Sequence, residues 1–172
     1  MTVSHIQEYL PSPPLRTLVQ SYWSGDFNTR SVRDFSQSVI PNGFVELIIH
    51  LTDDHCDLYK DHEWGYSPNH TILGMYTRPY TVRFRKNVKV FGIRFNPEGF
   101  NIAFGASSAE FLETFEDMES VGGRVIADYC DSIRECESVA LRITQTEEFL
   151  AKRLCNRGAT YDYVSCAAAM IR

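Results

Sequence analysis

The most strand-like stretch of the sequence contains a carboxylate. This stretch, VIPNGFVELIIHL, runs from Val39 to Leu51 and places Glu46 among apolar residues. His50 follows four residues later, and because side chains alternate along a strand, both side chains project from the same face. A charge in a half-buried strand needs a partner, since an unpaired buried charge is costly. The stretch therefore predicts a partnered Glu46.

Two arginines are candidate partners of Glu46: Arg78 in MYTRPY and Arg94 in GIRF. A structural ion pair is one outcome. In the other, the same side chains, with His50 on the same face of the strand, face a cavity and meet a ligand. We predict that Glu46 is mostly buried and pairs with Arg94 or Arg78, and both alternatives for its role stay open.

The sequence offers little for metal or covalent chemistry. Glu46 and His50 would lie about 13 Å apart along a strand, too far to share a metal ion. The five cysteines have no C-x-x-C spacing, and no serine stands in a G-x-S-x-G turn. We therefore predict no metal site, no cofactor and no catalytic residue, and we expect a protein that is not an enzyme.

Before residue 105, alternating apolar residues and turn residues predict short strands. Short strands at this spacing favour a barrel or sandwich over a doubly wound sheet. Hairpin connections are expected near Lys60 to Glu63 and at Lys86-Asn87. The stretch from Leu15 to Phe27 fits a short helix or a strand. The clearest strands are Phe44–Leu51, Thr71–Met75, Tyr80–Arg85 and Val88–Phe95.

Helical spacing of apolar residues dominates after residue 105, so an α+β class is expected. A short helix at Pro97 to Phe104 would stop at Gly105, and Ser107 with Glu110 has a capping-box pattern. A barrel of about 105 residues would cover only part of the later apolar stripes, which predicts a twofold dimer interface. The alternative is that the helices pack wholly on the barrel and leave a monomer. The interface candidates are Val139, Ile143, Leu150 and Leu154, with a second stripe from Val164 to Ile171.

Composition and charge limit the classes of protein to which this chain can belong. The chain has 172 residues, 44% of them hydrophobic, and a net charge of −5. Such an acidic chain is a poor stand-alone DNA binder. No apolar run approaches the roughly 20 residues of a membrane span, and no signal peptide is evident, so we expect a cytoplasmic protein with reduced thiols. From Trp64 to Pro97 there are bases but no acids, which indicates a solvated face or attraction of an anion.

Four stretches in order resemble one family: EYLPSPPLRTLVQSYW, VIPNGFVELIIHL, LGMYTRPYTVRF and VFGIRFNPEGF. Together they are similar to the N-terminal domain of a group of AraC-type bacterial transcription regulators. In that pattern Glu46 matches an acidic position, and Arg78 and Arg94 match arginine positions. The set is compatible with an internal ion-pair network or with the polar end of a ligand cavity.

The resemblance implies a cupin-like antiparallel β-barrel followed by helices and by a DNA-binding domain with two helix-turn-helix motifs. We expect residues 1–105 to form the barrel sensor and residues 106–172 a helical dimerisation or linker segment. The last apolar stripe ends with the chain, which favours a fragment of a longer protein. The implied function is to sense a small-molecule effector or to form a homodimer, with DNA bound only through the absent domain. The rival is a small cupin-like enzyme, an isomerase or a metal-dependent oxygenase.

Overall fold

The computed structural model describes residues 3–28, 35–60 and 62–156. The strands in these ranges are β1 Val3–Tyr9, β2 Val19–Asn28, β3 Ser36–Val39, β4 Val45–His50, β5 Cys56–Lys60, β6 Glu63–Tyr66, β7 His70–Leu73, β8 Tyr80–Phe84, β9 Asn87–Phe95 and β10 Phe115–Asp117. The helices are α1 Pro97–Phe104, α2 Met118–Gly122, α3 Arg124–Glu135 and α4 Val139–Asn156. None of the described helices is long and apolar enough to cross a membrane.

The strands form two antiparallel sheets. The first sheet has the order β1-β2-β9-β4-β7-β10, and the second has the order β3-β8-β5-β6. Between β2 and β9 the chain changes sheet at every connection except the β5–β6 hairpin. This order is that of a jelly roll, the double-sheet fold that includes the cupins. The prediction of an α+β, cupin-like antiparallel barrel followed by a helical segment is confirmed.

The local strand predictions differ in outcome. Strands β4, β7, β8 and β9 lie where alternation predicted them, and Lys60 pairs with Glu63 in the expected hairpin. The hairpin predicted at Lys86-Asn87 is wrong, because β8 pairs in the second sheet and β9 in the first. The connection between them crosses from one sheet to the other. A short polar turn looks the same in sequence whether its strands pair or separate.

Three strands were not predicted from the sequence. Strand β1 pairs along its whole length with β2, and β3 forms an edge of the second sheet beside β8. Strand β10 lies beyond residue 105, where we expected only helices, and pairs with β7. The segment after residue 105 therefore contributes to the first sheet as well as to the helical layer.

The first sheet separates two hydrophobic layers. Alternation along β4 turns Val45, Leu47 and Ile49 toward the helices. The residues between them, such as Ile48, face the second sheet. The helical layer includes Phe95, Phe100, Ile126, Ile133 and Leu150. The layer between the sheets includes Trp23, Phe27, Leu58, Val82, Phe84 and Val90.

The start of the helical segment follows its sequence signals in part. Helix α1 begins with Pro97 and ends at Gly105, whose φ of 72° is the left-handed conformation expected of a helix stop. Ser107 caps the next segment by accepting a hydrogen bond from the Ala109 N–H. That segment is a 3₁₀ turn at Ser108–Phe111 rather than an α-helix. The capping signal is therefore present without a helix behind it.

The predicted interface on α4 is wrong for its two leucines. Leu150 and Leu154 are 1% and 3% exposed and belong to the helical layer. Val139 and Ile143 are half-buried and pack against the same layer. Helix α4 contacts α1 and α3, so its apolar stripe is covered within the helical layer rather than left for a partner. The second predicted stripe, Val164 to Ile171, lies outside the described residues.

Candidate functional site

A cavity of about 450 Å³ lies between the two sheets. Aliphatic and aromatic side chains from both sheets form much of its lining, together with polar residues such as Glu46 and His50. Its size is within the range of small-molecule sites in proteins. The apolar side chains of the middle are Ile48, Leu58, Leu73, Val82, Phe84 and Val90.

Glu46 lies in the wall of this cavity and is only 5% exposed. Three donors satisfy its carboxylate. Trp23 Nε1 donates to Oε2 over 3.0 Å, Asn42 Nδ2 donates to Oε1 over 2.6 Å, and Arg94 Nε donates to Oε1 over 2.9 Å. A buried carboxylate is tolerated when its charge is paired and its oxygens are hydrogen-bonded. The carboxylate inside the strand-like stretch is therefore both ion-paired and hydrogen-bonded within a polar cluster.

Arg94 faces Glu46 because the two residues are register partners on β9 and β4. Its Nη1 also donates to Glu8 on β1, whose side chain is 56% exposed. The guanidinium lies 5.9 Å from the centre of the Trp23 ring. One cation thus serves two carboxylates, one at the wall of the cavity and one near the surface.

Asn42 reaches Glu46 through the turn that precedes β4. Its Oδ1 accepts from the Phe44 N–H at 3.1 Å, which folds the side chain back over the turn, while Nδ2 donates to Glu46. Gly43 supplies the positive φ of 74° that this turn requires. The Pro-Asn-Gly sequence is therefore both a turn and a support for the carboxylate.

Trp23 reaches Glu46 because β9 has no side chain beneath the indole. A Cβ on Gly92 would lie 2.1 Å from Trp23 Cε2 and 2.1 Å from Nε1. Trp23 and Gly92 are register partners on β2 and β9. Because Gly92 of GIRF has no side chain, the indole of Trp23 can lie directly over the backbone of β9.

Arg78 does not join this cluster, which corrects one of the two partners proposed for Glu46. It is exposed in the connection between β7 and β8 and is not among the residues that line the cavity. Its electrostatic partner is Glu113, whose pKa is lowered first by a hydrogen bond from Thr77 and to a smaller extent by Arg78. Pro79 ends the strand-like pattern here, so Arg78 lies outside both sheets.

His50 lies at the other end of β4, 1% exposed, and lines the cavity. As predicted, it shares a face with Glu46. Its ring stacks on His55 with centroids 4.4 Å apart, and Nδ1 lies 3.4 Å from the Asn69 carbonyl oxygen. Burial, followed by the proximity of His55, lowers the pKa of His50 to about 4. The imidazole is therefore neutral near pH 7.

The other reactive groups do not converge on a metal or nucleophile site. Within residues 3–28, 35–60 and 62–156, no three His, Cys, Asp or Glu side chains are placed to hold a metal ion. Cys56 lines the cavity, and burial raises the pKa of its thiol to about 12, so it is protonated. The other described cysteines, Cys130, Cys136 and Cys155, are free thiols, and Cys166 lies outside the described residues.

Most bases of the acid-free window point away from the cavity. Arg83 and Arg85 both bind Asp57, which is buried on the outer side of the second sheet. Their guanidinium groups also lie over Trp64 and Tyr66. Of the six bases in the window, Arg94 is the one that lines the cavity.

Sequence reasoning missed three residues of the site. Trp23 and Asn42 stood in the recognised motifs without an assigned role, and their spacing to Glu46 gave no indication of contact across strands. Tyr80 lines the cavity at the Glu46 end, and burial, followed by Glu46, raises the pKa of its hydroxyl. Alternation along β8, where Tyr80 shares a face with Val82 and Phe84, was the available signal.

Two solved structures resemble the chain weakly. An HTH_3 family transcriptional regulator from Vibrio cholerae is 14% identical, with a TM-score of 0.41 over 55% of this chain and 51% of that chain. The Cupin_2 domain of an XRE family transcriptional regulator from Enterobacter cloacae is 12% identical, with a TM-score of 0.39 over 53% of this chain and 94% of that chain. The chain thus covers about half of the Vibrio cholerae protein, and at these scores neither likeness carries an argument.

No curated protein matches the chain in sequence. A family model does match, over residues 7–117, a range that ends with β10 and includes Glu46, Arg94 and the other residues of the polar cluster. The chain therefore belongs to the family described as Domain of unknown function (DUF6597).

Proposed function

We propose that this jelly roll is the small-molecule-sensing domain of an AraC-type transcription regulator. The observation that carries the proposal is the cavity between the sheets, with an apolar middle and the polar cluster around Glu46 at its wall. Protein interiors are normally close-packed, and a cavity of this size with an apolar lining and a few polar groups is typical of a small-molecule site.

The chemistry of the wall favours binding over catalysis. Glu46 already accepts three hydrogen bonds, which leaves it poorly placed to move a proton. Cys56 is a protonated thiol, and His50 hydrogen-bonds to a backbone carbonyl rather than to a nucleophile. These groups suit a recognition surface, and we propose that the domain is not an enzyme.

The AraC-type assignment draws support from the motif residues. Asn42, Glu46, Gly92 and Arg94 all belong to the pattern shared with those regulators. Three of them line the cavity, and Gly92 leaves the space for Trp23, which lines it too. A shared pattern is informative when its residues cooperate in a single feature.

Strand β4 offers a route from the cavity to the helices. Ile48 faces the cavity, while Leu47 and Ile49 on the same strand pack in the helical layer. A ligand that shifts β4 would therefore press on α3, which packs against that strand. We propose that this contact passes the ligand signal to a DNA-binding domain beyond the helices.

A pair of adjacent residues on β8 tests ligand binding. Val82 points into the cavity, whereas Thr81 points to the outer side of the second sheet. With naphthalene as an apolar probe, Val82→Phe should abolish the binding seen in the wild type by filling the space. Thr81→Phe, the matched control, should bind as the wild type does, and thermal unfolding would show that both variants fold. Equal binding by both variants would place the probe outside the cavity.

The regulatory half of the proposal has its own test. The reading frame beyond residue 172 should encode two helix-turn-helix motifs. A frame that encodes an enzyme domain instead would contradict the assignment. Formation of a homodimer stays a prediction. Sedimentation at micromolar concentration would measure it, and Leu150 and Leu154 are no longer candidates for the interface because they are buried.

A further inference from the structure

The charges that line the cavity are already neutralised. Glu46 and Arg94 are the acidic and basic residues among the described lining residues, and they are bound to each other over 2.9 Å. Arg94 also binds Glu8, and Glu46 is further satisfied by Trp23 and Asn42. Neither side chain has a spare charge for a ligand.

Other ionisable groups near the cavity add no charge. His50 is neutral because burial disfavours its protonated form. Cys56 is a thiol rather than a thiolate for the same reason. Asp57, Arg83 and Arg85 form their own cluster on the outer side of the second sheet. Over the described residues, the cavity therefore presents no uncompensated charge.

Such a cavity discriminates against ions. A charged ligand would lose its hydration and find no free counter-ion, which disfavours its binding. A neutral molecule with an apolar body loses little on entering and gains contact with the aliphatic and aromatic middle of the cavity. The residues that line the cavity therefore favour neutral ligands over charged ones.

One polar group at the Glu46 end is available to a ligand. The hydroxyl of Tyr80 forms no hydrogen bond to any residue that the structure describes, although Tyr80 lines the cavity. A tyrosine hydroxyl both donates and accepts, so it can bind a hydroxyl or a carbonyl oxygen. Buried tyrosines usually find such a partner.

We propose that the cavity binds an uncharged, largely apolar molecule with one hydroxyl or carbonyl group that meets the Tyr80 hydroxyl. This inference rests on the proposed function, since it specifies the ligand of the same cavity.

Three probes with one skeleton test the charge preference: naphthalen-2-ylmethanol, naphthalene-2-carboxylate and naphthalen-2-ylmethylammonium. Calorimetry on the whole chain at pH 7 should give an alcohol affinity at least about tenfold higher than that of either ion, equivalent to about 1.4 kcal/mol. A carboxylate or ammonium probe that binds as tightly as the alcohol would overturn the inference.

Tyr80→Phe tests the anchor, because it removes the hydroxyl and keeps the ring. Affinity for naphthalen-2-ylmethanol should fall by about three- to tenfold, the usual range for one hydrogen bond. Affinity for 2-methylnaphthalene, which has no oxygen, should not change. Tyr59→Phe, on the outer side of the second sheet, is the matched control and should leave both affinities unchanged. Unchanged alcohol binding in Tyr80→Phe would remove Tyr80 from the site.

The two proposals fail differently. If naphthalene and all three substituted probes fail to bind the wild-type chain, the cavity is not a ligand site and both proposals are overturned. If naphthalene binds and an ion binds most tightly, the proposed function stands and the neutral ligand class is overturned.

Discussion

Glu46 joins three separate parts of the chain. Trp23 comes from β2, Asn42 from the turn before β4, and Arg94 from β9. The Glu46 carboxylate thus accepts a hydrogen bond from each of these three parts of the chain. Removing it would leave an indole N–H, an amide and part of a guanidinium without their partner in a buried site.

Glu46→Ala should lower the free energy of unfolding by about 3 kcal/mol, because Arg94 loses its buried counter-ion. Glu8→Ala removes the other carboxylate on Arg94, but its side chain is more than half exposed, so the expected loss is below about 1 kcal/mol. Urea denaturation of both variants measures the difference. Equal losses would mean that the buried partner matters no more than the exposed one.

The lowered pKa of His50 predicts that the stability of the fold depends on pH. Burial, followed by His55, lowers its pKa to about 4 in the folded chain, and Arg134 acts in the same direction while the carbonyls of Asn69 and Pro68 oppose it. An unfolded histidine has a pKa of about 6.5. Between these values the unfolded chain binds a proton that the folded chain does not. The contribution of neutral His50 to the free energy of unfolding is therefore complete above about pH 6.5, and it is lost as the pH falls toward 4.

We expect His50→Phe to remove on the order of 2 kcal/mol of the stability difference between pH 7 and pH 4. His5→Phe, at an exposed position on β1, should leave that difference unchanged. Denaturant titrations at several pH values measure it. A wild-type slope retained in His50→Phe would assign the dependence to other groups, such as His70, whose pKa is also lowered by burial.

At the scale of elements, β2 and β9 pack closely at one point. The indole of Trp23 occupies the space above Gly92, and this places Nε1 within reach of Glu46. The position of the polar cluster therefore depends on the absence of a side chain on the neighbouring strand.

Gly92→Ala should destabilise the fold by about 2–3 kcal/mol, because the new methyl overlaps the indole. Near-ultraviolet circular dichroism should show the displaced tryptophan. The double variant Gly92→Ala/Trp23→Leu should lose less stability than the sum of the single variants, since the overlap is gone. Additive losses would mean that the overlap with Trp23 is not the cause.

Local periodicity made some elements predictable. Alternation located β4, β8 and β9 and placed Glu46 and His50 on one face, because that pattern is a property of consecutive residues. The crossing between sheets after β8 and the pairing of β10 with β7 depend on distant partners, so no local pattern reveals them. The Glu46–Arg94 pair was predictable as one of two options, and only the register of β4 with β9 decides between Arg94 and Arg78.

At the scale of the whole molecule, helices cover one sheet. Helix α4 belongs to the same hydrophobic layer as the outward face of the first sheet, through residues such as Leu150 and Leu154. The barrel and the first part of the helical segment are therefore energetically coupled. Exposed apolar residues on α4 include Leu141.

Leu150→Ala should cost about 3 kcal/mol of unfolding free energy, as expected for a buried leucine. Leu141→Ala, on the same helix but 51% exposed, should change it by less than about 0.5 kcal/mol. Chemical denaturation followed by one probe on the sheet and one on α4 would show whether the helix unfolds together with the sheet. A separate early transition for α4 would contradict the shared layer.

The 172-residue chain should not bind duplex DNA specifically at physiological salt. Its net charge is −5, and DNA affinity depends largely on neutralising phosphates with bases. The arginines Arg83, Arg85 and Arg94 are already paired with carboxylates. A gel-shift assay against a random duplex pool measures this, and a retained, sequence-selective band would contradict it.

The two sheets differ in what lies on their outer sides. Helices pack on the first sheet, whereas Tyr59, Trp64 and Tyr66 of the second sheet are exposed. Amide protons of β5, β6 and β8 should therefore exchange through local opening, well before those of β4 and β9 exchange through global unfolding. Entry to the cavity does not need such openings, because lining residues such as Ile6 and Ile40 are exposed to solvent. A molecule bound between the sheets would make these openings rarer, so slower exchange of the β8 amides would report its binding.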